Sequence, residues 1–407
     1  MKIKLIHYAA PPVVGGVETV LARQAEVFTD AGHETAVIAG RGAQWKPGIP
    51  VYRVDRIDSR HPDVLRFKTS LDSGTVPDGF NVFVEEIVQD LDALYRDADW
   101  VIAHNIASLH KNLALTAALH RLAVMYPKTG LVLWHHDLAW VMKNYASELH
   151  PGWPWDLLRT PWLNVKQVVV SEARKTDLVN LMKLPPGDVR VIPAGVDLNE
   201  FLNLQTSTRA LAQQLNLELA APLLLSPVRL TRRKNIELGL QITAELVKVF
   251  PETHYVVTGP LGAHNPANAE YFQLLLKMRA DLGLGKTVHF LAEYLPDGLT
   301  DGQVADFYRL ADVLLITSKE EGFGIPILEG GLGRLPIFCS DIPSLKALAG
   351  RYANYFSLET PPSLISQQLT NYLRTDSIYQ LRTQVRQHYT WPAIYQNDLM
   401  PLLNRSA

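Results

Sequence analysis

From end to end this chain alternates short apolar runs with segments of helical period, and that rhythm limits what it can become. In the first half the strand candidates are residues 3–8, 34–39, 51–54, 100–103, 131–134, 167–170 and 189–192, with helix candidates at 17–31, 84–96, 108–125 and 172–182 between them. The second half repeats the pattern. Its strand candidates are 223–227, 255–258, 288–291, 313–316 and 337–339, and its helix candidates are 235–250, 269–282, 301–310, 327–333 and 379–389. Such alternation predicts an α/β fold of parallel sheets covered by helices on both faces. Sheets of that kind bind ligands at the carboxyl ends of their strands. One sheet of about 12 strands would be unusually wide, so two doubly wound, Rossmann-like domains are the better reading. The break falls at Pro193-Ala194-Gly195-Val196-Asp197, which gives domains over 1–197 and 198–390. A last helical stretch, 391–407, is free to cross back to the first domain.

Composition excludes several classes. A formal net charge of −2 argues against a nucleic-acid binder held by phosphate contacts. Cys339 is the only cysteine, so neither an intrachain disulfide nor a cysteine-based zinc site is available. The first ten residues read as a strand rather than a leader, and no apolar run approaches the roughly 18 residues of a membrane span. A cytoplasmic location is the default expectation.

The most informative local pattern is Ser318-Lys319-Glu320-Glu321-Gly322-Phe323-Gly324-Ile325-Pro326-Ile327-Leu328-Glu329, directly after the apolar run 313–316. Pro326 suits a first helical turn. The N–H groups of Gly324 and Ile325 would then form an anion seat. Glu321 and Glu329 flank it, and the arrangement fits a ligand both phosphorylated and rich in hydroxyls, such as a nucleotide sugar. Val228-Arg229-Leu230-Thr231-Arg232-Arg233-Lys234-Asn235 follows the first strand of the second half. Cations there can hold a diphosphate leaving group.

In the first half, Gly15-Gly16-Val17-Glu18 opens a helix, and its paired glycines let backbone N–H groups approach a diphosphate. Trp134-His135-His136-Asp137 and His104-Asn105 each end a strand with polar residues. A neutral imidazole there can accept a hydrogen bond from a sugar hydroxyl. The pairs Asp90/Asp92 and Asp97/Asp99 imitate an Asp-x-Asp metal motif, but they fall in or at the end of a helical segment, where residues two apart do not face one site. No metal or other cofactor is expected. Five of the eight tryptophans fall between Trp134 and Trp162, a stretch that suits acceptor stacking, contact with a membrane interface or a packed loop.

Together these motifs resemble the family-four retaining glycosyltransferases, along nearly the whole chain. Gly15 to Glu18 is similar to the family's first glycine loop, Val191 to Asp197 to its interdomain signature (with Ala194 where asparagine is usual), Arg229 and Lys234 to its basic pair, and Glu321 to Glu329 to its Glu-x7-Glu motif. The resemblance implies the GT-B fold, two Rossmann-like domains facing across a cleft, with the acceptor on the first and the nucleotide sugar on the second. It implies that Glu321 meets the donor sugar's hydroxyls and Glu329 the ribose. Phe323, Gly324 and Ile325 would meet sugar and phosphates, and Gly16, with Gly15 beside it, the diphosphate. His136 matches the family's active-site histidine better than His135 does, because Asp137-Leu138 follows it. The expected catalytic set is His136, Arg229, Lys234 and Glu321, with His104, His135 and Asp137 on the acceptor side. The expected activity is metal-independent transfer of a hexose, from a donor of UDP-glucose or GDP-mannose type, to a small-molecule, glycan or lipid-linked hydroxyl. A GT-B epimerase of nucleotide sugars and a catalytically silent saccharide binder are the alternatives. The glycine-rich run Glu329-Gly330-Gly331-Leu332-Gly333 replaces commoner alanines, so this helix should lean on its neighbours or allow close backbone approach.

Overall fold

The computed structural model describes residues 1–261, 267–296 and 298–404. The polar insert 262–268 therefore lies outside the described residues, except for its last two. The chain forms two compact units, one of Met1–Gly195 with Trp391–Ala407 and the other of Val196–Thr390.

The first unit holds β1 (Lys2–Ala9), β2 (Glu34–Arg41), β3 (Val51–Arg53), β4 (Trp100–His104), β5 (Gly130–His135), β6 (Val165–Val169) and β7 (Val189–Val191). They lie in the order β3-β2-β1-β4-β5-β6-β7, and all pairings are parallel. Apart from their ends, β1, β2, β4 and β5 are buried along their length, as expected of a sheet covered on both faces. One core, with Ile6, Val84 and Leu119, fills one face; a second, with Leu5, Phe28 and Val132, fills the other. Ile394, Leu399, Leu402 and Leu403 of the C-terminal segment join the second core.

The second unit holds β8 (Leu223–Ser226), β9 (His254–Val257), β10 (Val288–Phe290), β11 (Val313–Ile316), β12 (Ile337–Ser340) and β13 (Asn354–Phe356), in the order β10-β9-β8-β11-β12-β13 and again parallel throughout. Leu224 and Leu315 face one core, Leu225 and Leu314 the other. The strand order reverses between β1 and β4 in one sheet and between β8 and β11 in the other. Ligands of open α/β sheets bind at such reversals, outside the carboxyl ends of the strands.

Several elements depart from the sequence expectation, among them helices Thr206–Gln214, Pro343–Ala349 and Pro362–Thr375, which it does not mark. The helix expected over 108–125 begins only at Leu113. Residues 105–112 bend first, with Asn105 in the left-handed region at φ 56°. Helix Pro62–Asp72 buries only Val64, Phe67 and Leu71 among charged neighbours, too sparse a stripe to stand out. Strand β13 has three residues, of which Phe356 alone is buried. No described helix is long and apolar enough to cross a membrane.

Candidate active site

At the reversal in the second sheet, β11 ends at Ile316 and the chain turns through Lys319–Phe323 into helix Ile325–Leu332. Gly324 caps that helix at φ 99°, and a Cβ there would lie 2.8 Å from Leu345 Cδ2. Only glycine meets both demands. The basic loop after β8 is latched onto this turn. Lys319 N donates to the Arg233 carbonyl at 2.8 Å, and Thr317 Oγ1 donates to the Lys234 carbonyl at 3.0 Å. The latch brings Lys234 and Glu321 together as an ion pair whose side chains are only 8% and 7% exposed. Ser318 Oγ donates to Glu321 Oε1 at 2.7 Å, and Arg233 Nη1 stands 3.5 Å from Oε2. Burial lowers the Lys234 pKa, while Glu321 pulls it back up.

Beside this pair is a cavity of about 290 Å³, lined by Pro227, Val228, Arg229, Gly259, Pro260, Leu299, Val304, Ile325 and Glu329. Arg229 is exposed, and its guanidinium has no hydrogen bond or ion pair among the described residues. Glu329 Oε2 accepts a hydrogen bond from Tyr308 Oη at 2.6 Å. Burial, and then Glu329 itself, push the Tyr308 hydroxyl pKa upward, so the phenol remains a donor. A guanidinium and an oriented carboxylate thus share a pocket that also offers Thr258 and the apolar side chains of Val228, Leu299, Val304 and Ile325. Such a pocket can take a charged phosphate, a polyol and a flat ring together. Two glycines set its shape by close approach. A Cβ at Gly259 would lie 2.0 Å from the Val228 carbonyl oxygen, and one at Gly330 would lie 2.5 Å from Leu314 Cδ2. The glycine-rich helix therefore settles directly onto β11 at Gly330, while Gly331 faces open space.

In the first unit the reversal gathers histidines. Asn105, just past β4, accepts from the backbone N–H groups of His136 (2.7 Å) and Asp137 (3.2 Å), and its Nδ2 donates to Asp137 Oδ2 at 3.4 Å. Its left-handed backbone, which asparagine tolerates, aims the side chain at the end of β5. A 3.1 Å hydrogen bond joins His104 Nδ1 and His136 Nε2. His136 is partly open, whereas His104 is fully buried behind it. His135 is turned elsewhere. It is buried, and its Nε2 donates to Gln167 Oε1 at 2.7 Å. Burial, first of all, lowers the pKa of His135 and His136 to about 4 and that of His104 well below its ordinary value. These imidazoles are neutral at pH 7 and can accept hydrogen bonds.

The glycine loop follows β1. Gly16 opens helix Gly16–Asp30, and no group lies within 4 Å of where its Cβ would be. A Cβ at Gly15 would lie 2.2 Å from Glu18 Oε2, so the Glu18 carboxylate folds back over that glycine. The imitation metal motif is occupied by structural contacts. Asp90 pairs with Arg56, Asp92 accepts from the Tyr126 hydroxyl, and Asp97 pairs with Lys2 and Lys4. Asp72, His110 and Glu148 also converge, but Lys68 Nζ lies 2.6 Å from Asp72 and 2.9 Å from Glu148 and supplies their positive charge. Of the clustered tryptophans, Trp134, Trp155 and Trp162 are buried and Trp153 is exposed.

Tyr308 and Asn105 are the site residues that the sequence did not single out for a role. Tyr308 gives no local signal, because it reaches Glu329 from a helix 21 residues upstream. For Asn105 a signal existed, an asparagine placed directly after a strand.

Two family models divide the chain between them. Glycosyltransferase Family 4 matches residues 14–200, and Glycosyl transferases group 1 matches residues 207–387. Among curated relatives, mannosylglucosylglycerate synthase from Petrotoga mobilis is 24% identical over 85% of this chain and 84% of its own length. The protein of the same name from Thermotoga maritima is 26% identical over 60% of this chain, which spans 57% of that relative. D-inositol 3-phosphate glycosyltransferase from Thermobispora bispora is 25% identical over 82% of this chain and 75% of its own.

Proposed function

Since this chain belongs to the family-four, group 1 glycosyltransferases, with two doubly wound α/β units, we propose that it moves a hexose from a nucleotide diphosphate sugar to an acceptor hydroxyl and retains the anomeric configuration. The observation that carries this reading is the cavity shared by Arg229 and Glu329, beside the Lys234–Glu321 pair, at the reversal of the second sheet. In it Glu329, oriented by Tyr308, receives ribose hydroxyls, and the helix N-terminus at Gly324 and Ile325 receives phosphate oxygens. Glu321 receives donor-sugar hydroxyls.

In the proposed reaction the bond between the anomeric carbon and the diphosphate oxygen breaks. The diphosphate leaves with the electron pair, stabilised by Arg229 and Lys234. The acceptor oxygen bonds to the same face of that carbon, and its proton passes to the departing diphosphate oxygen. No carboxylate nucleophile takes part, and no metal does. His136, neutral, accepts a hydrogen bond from a hydroxyl. GDP-mannose and UDP-glucose are the first donors to try, and the names of the relatives make glucosylglycerate and D-inositol 3-phosphate the first acceptors.

The test has two stages. A nucleotide sugar at 100 times its Kd should stabilise the protein by about 2.7 kcal/mol, read as a melting shift. The stabilising donor is then incubated with each acceptor, with and without EDTA, and the product's anomeric configuration is read by NMR. Retained configuration and an EDTA-insensitive rate are expected. Inverted product would overturn the mechanism, and a new nucleotide sugar formed without acceptor would favour an epimerase.

A further inference from the structure

His7 lies on β1 and is 5% exposed. Its Nδ1 is 2.9 Å from the His104 carbonyl oxygen. A carbonyl can only accept, so Nδ1 carries a proton. Burial above all, with Lys111 and Arg41 adding to it, lowers the His7 pKa to about 4, so at neutral pH the ring has no second proton and Nε2 presents a lone pair. That lone pair faces Glu18 Oε1 at 3.8 Å. Neither the Glu18 carboxylate nor His7 Nε2 has a hydrogen bond to any other described residue. Two acceptors therefore converge at the carboxyl edge of the first sheet, and no described residue places a donor between them.

We propose that Glu18 and His7 form a clasp for a hydroxyl group of the acceptor, the hydroxyl donating to the carboxylate while a second donor of the same polyol reaches His7 Nε2. This rests on the transferase reading above and extends it, since it assigns an acceptor-selecting role to two residues that the donor chemistry does not use. The Glu18 carboxylate over Gly15 disfavours the diphosphate expected there, leaving that contact to the open Gly16, and favours an uncharged, hydroxylated group. The spacing also excludes a bare apolar acceptor, which would leave both groups buried without a partner. Glu18 in a first helical turn also suits the helix dipole, so the test must move something that the dipole would not.

Glu18→Gln tests this directly, because its amide can donate to His7 Nε2 and close the clasp within the protein. The expected result is an acceptor KM raised about tenfold or more, as loss of a hydrogen bond to a charged group implies. The expected kcat stays within about threefold, and the melting shift with UDP or GDP is unchanged. Glu18→Asp, which keeps the carboxylate, should recover part of the KM. Nitrogen-15 NMR of the wild-type ring at pH 7 should show His7 protonated at Nδ1 and bare at Nε2. A proton on Nε2, or an acceptor KM unmoved in Glu18→Gln, would overturn the clasp while leaving the transferase reading intact. Failure of the wild-type protein to glycosylate either acceptor would overturn that reading and the clasp with it.

Discussion

Arg229 and Lys234 belong to one basic loop, yet they stand in opposite physical situations. Arg229 is exposed and has no ion pair among the described residues, whereas Lys234 is buried against Glu321. Replacing Arg229 by alanine removes a cation that the proposed reaction needs, but one that the fold does not need. The expected outcome is a loss of about 10²–10³ in kcat with stability changed by no more than about 0.5 kcal/mol. Lys234→Ala leaves the buried Glu321 with only Ser318 and the more distant Arg233, so it should lower the rate and also cost up to about 3 kcal/mol of stability. Steady-state rates and urea midpoints on both variants separate the two effects. An undiminished rate in Arg229→Ala would remove the leaving-group role. At this scale the sequence is legible where a motif is contiguous, as from Ser318 to Glu329. Residue roles set by a distant contact are not. Glu321 and Glu329 can be read as hydroxyl binders from their spacing, but the pairing of Glu321 with Lys234 spans 87 residues and becomes visible only once β8 and β11 lie side by side.

Among the elements, the helix Ile325–Leu332 shows how a rule broken locally marks a function. Two consecutive glycines inside eight residues weaken a helix by about 1 kcal/mol each. Only Gly330 has a packing reason, its contact with Leu314; Gly331 has none among its described neighbours. Gly330→Ala should therefore cost about 1–3 kcal/mol through overpacking, and should weaken nucleotide binding by lifting the helix from β11. Gly331→Ala should stabilise the protein by up to about 1 kcal/mol and leave binding unchanged. Urea midpoints and the melting shift with UDP or GDP would show it; equal effects at the two positions would refute the packing argument. The elements that the sequence revealed are those with a strong period. Strands β4, β8 and β11 are almost continuous apolar runs and β1 is an apolar stretch broken by Lys4 and His7; together they bound both reversals. Helix Pro62–Asp72 and strand β13 were hidden because each buries so few side chains that neither period stands out. The late start of the helix at Leu113 reflects the left-handed Asn105, a backbone choice that hydrophobic period does not encode.

For the whole molecule, alternating period implies parallel sheets but not the order of their strands. That order is what brings the first and fourth strands of the chain side by side and so gathers His7, His104 and His136. Packing of the sheets buries neutral histidines in both units, at the reversal in the first and on the edge strand β10 in the second, and this has a consequence for stability. Burial lowers His7, His135 and His136 in the first unit and His289 in the second to about 4, against about 6.5 in an unfolded chain. As pH falls below about 6.5 the unfolded state takes up protons that the folded state refuses until about 4. Their contribution is therefore complete above about pH 6.5 and is lost progressively toward pH 4, at up to about 1.4 kcal/mol per pH unit for each histidine. Urea unfolding should show a flat midpoint from pH 8 to 7 and a falling one from pH 6.5 to 5, above the range where most carboxylates titrate. Transfer activity should show no limb near pH 6–7 from His136, because that ring is already neutral there. A midpoint constant from pH 7 to 5 would mean that these rings take up protons in the folded state, and the neutral acceptor at His136, with the bare Nε2 of His7, would go with it.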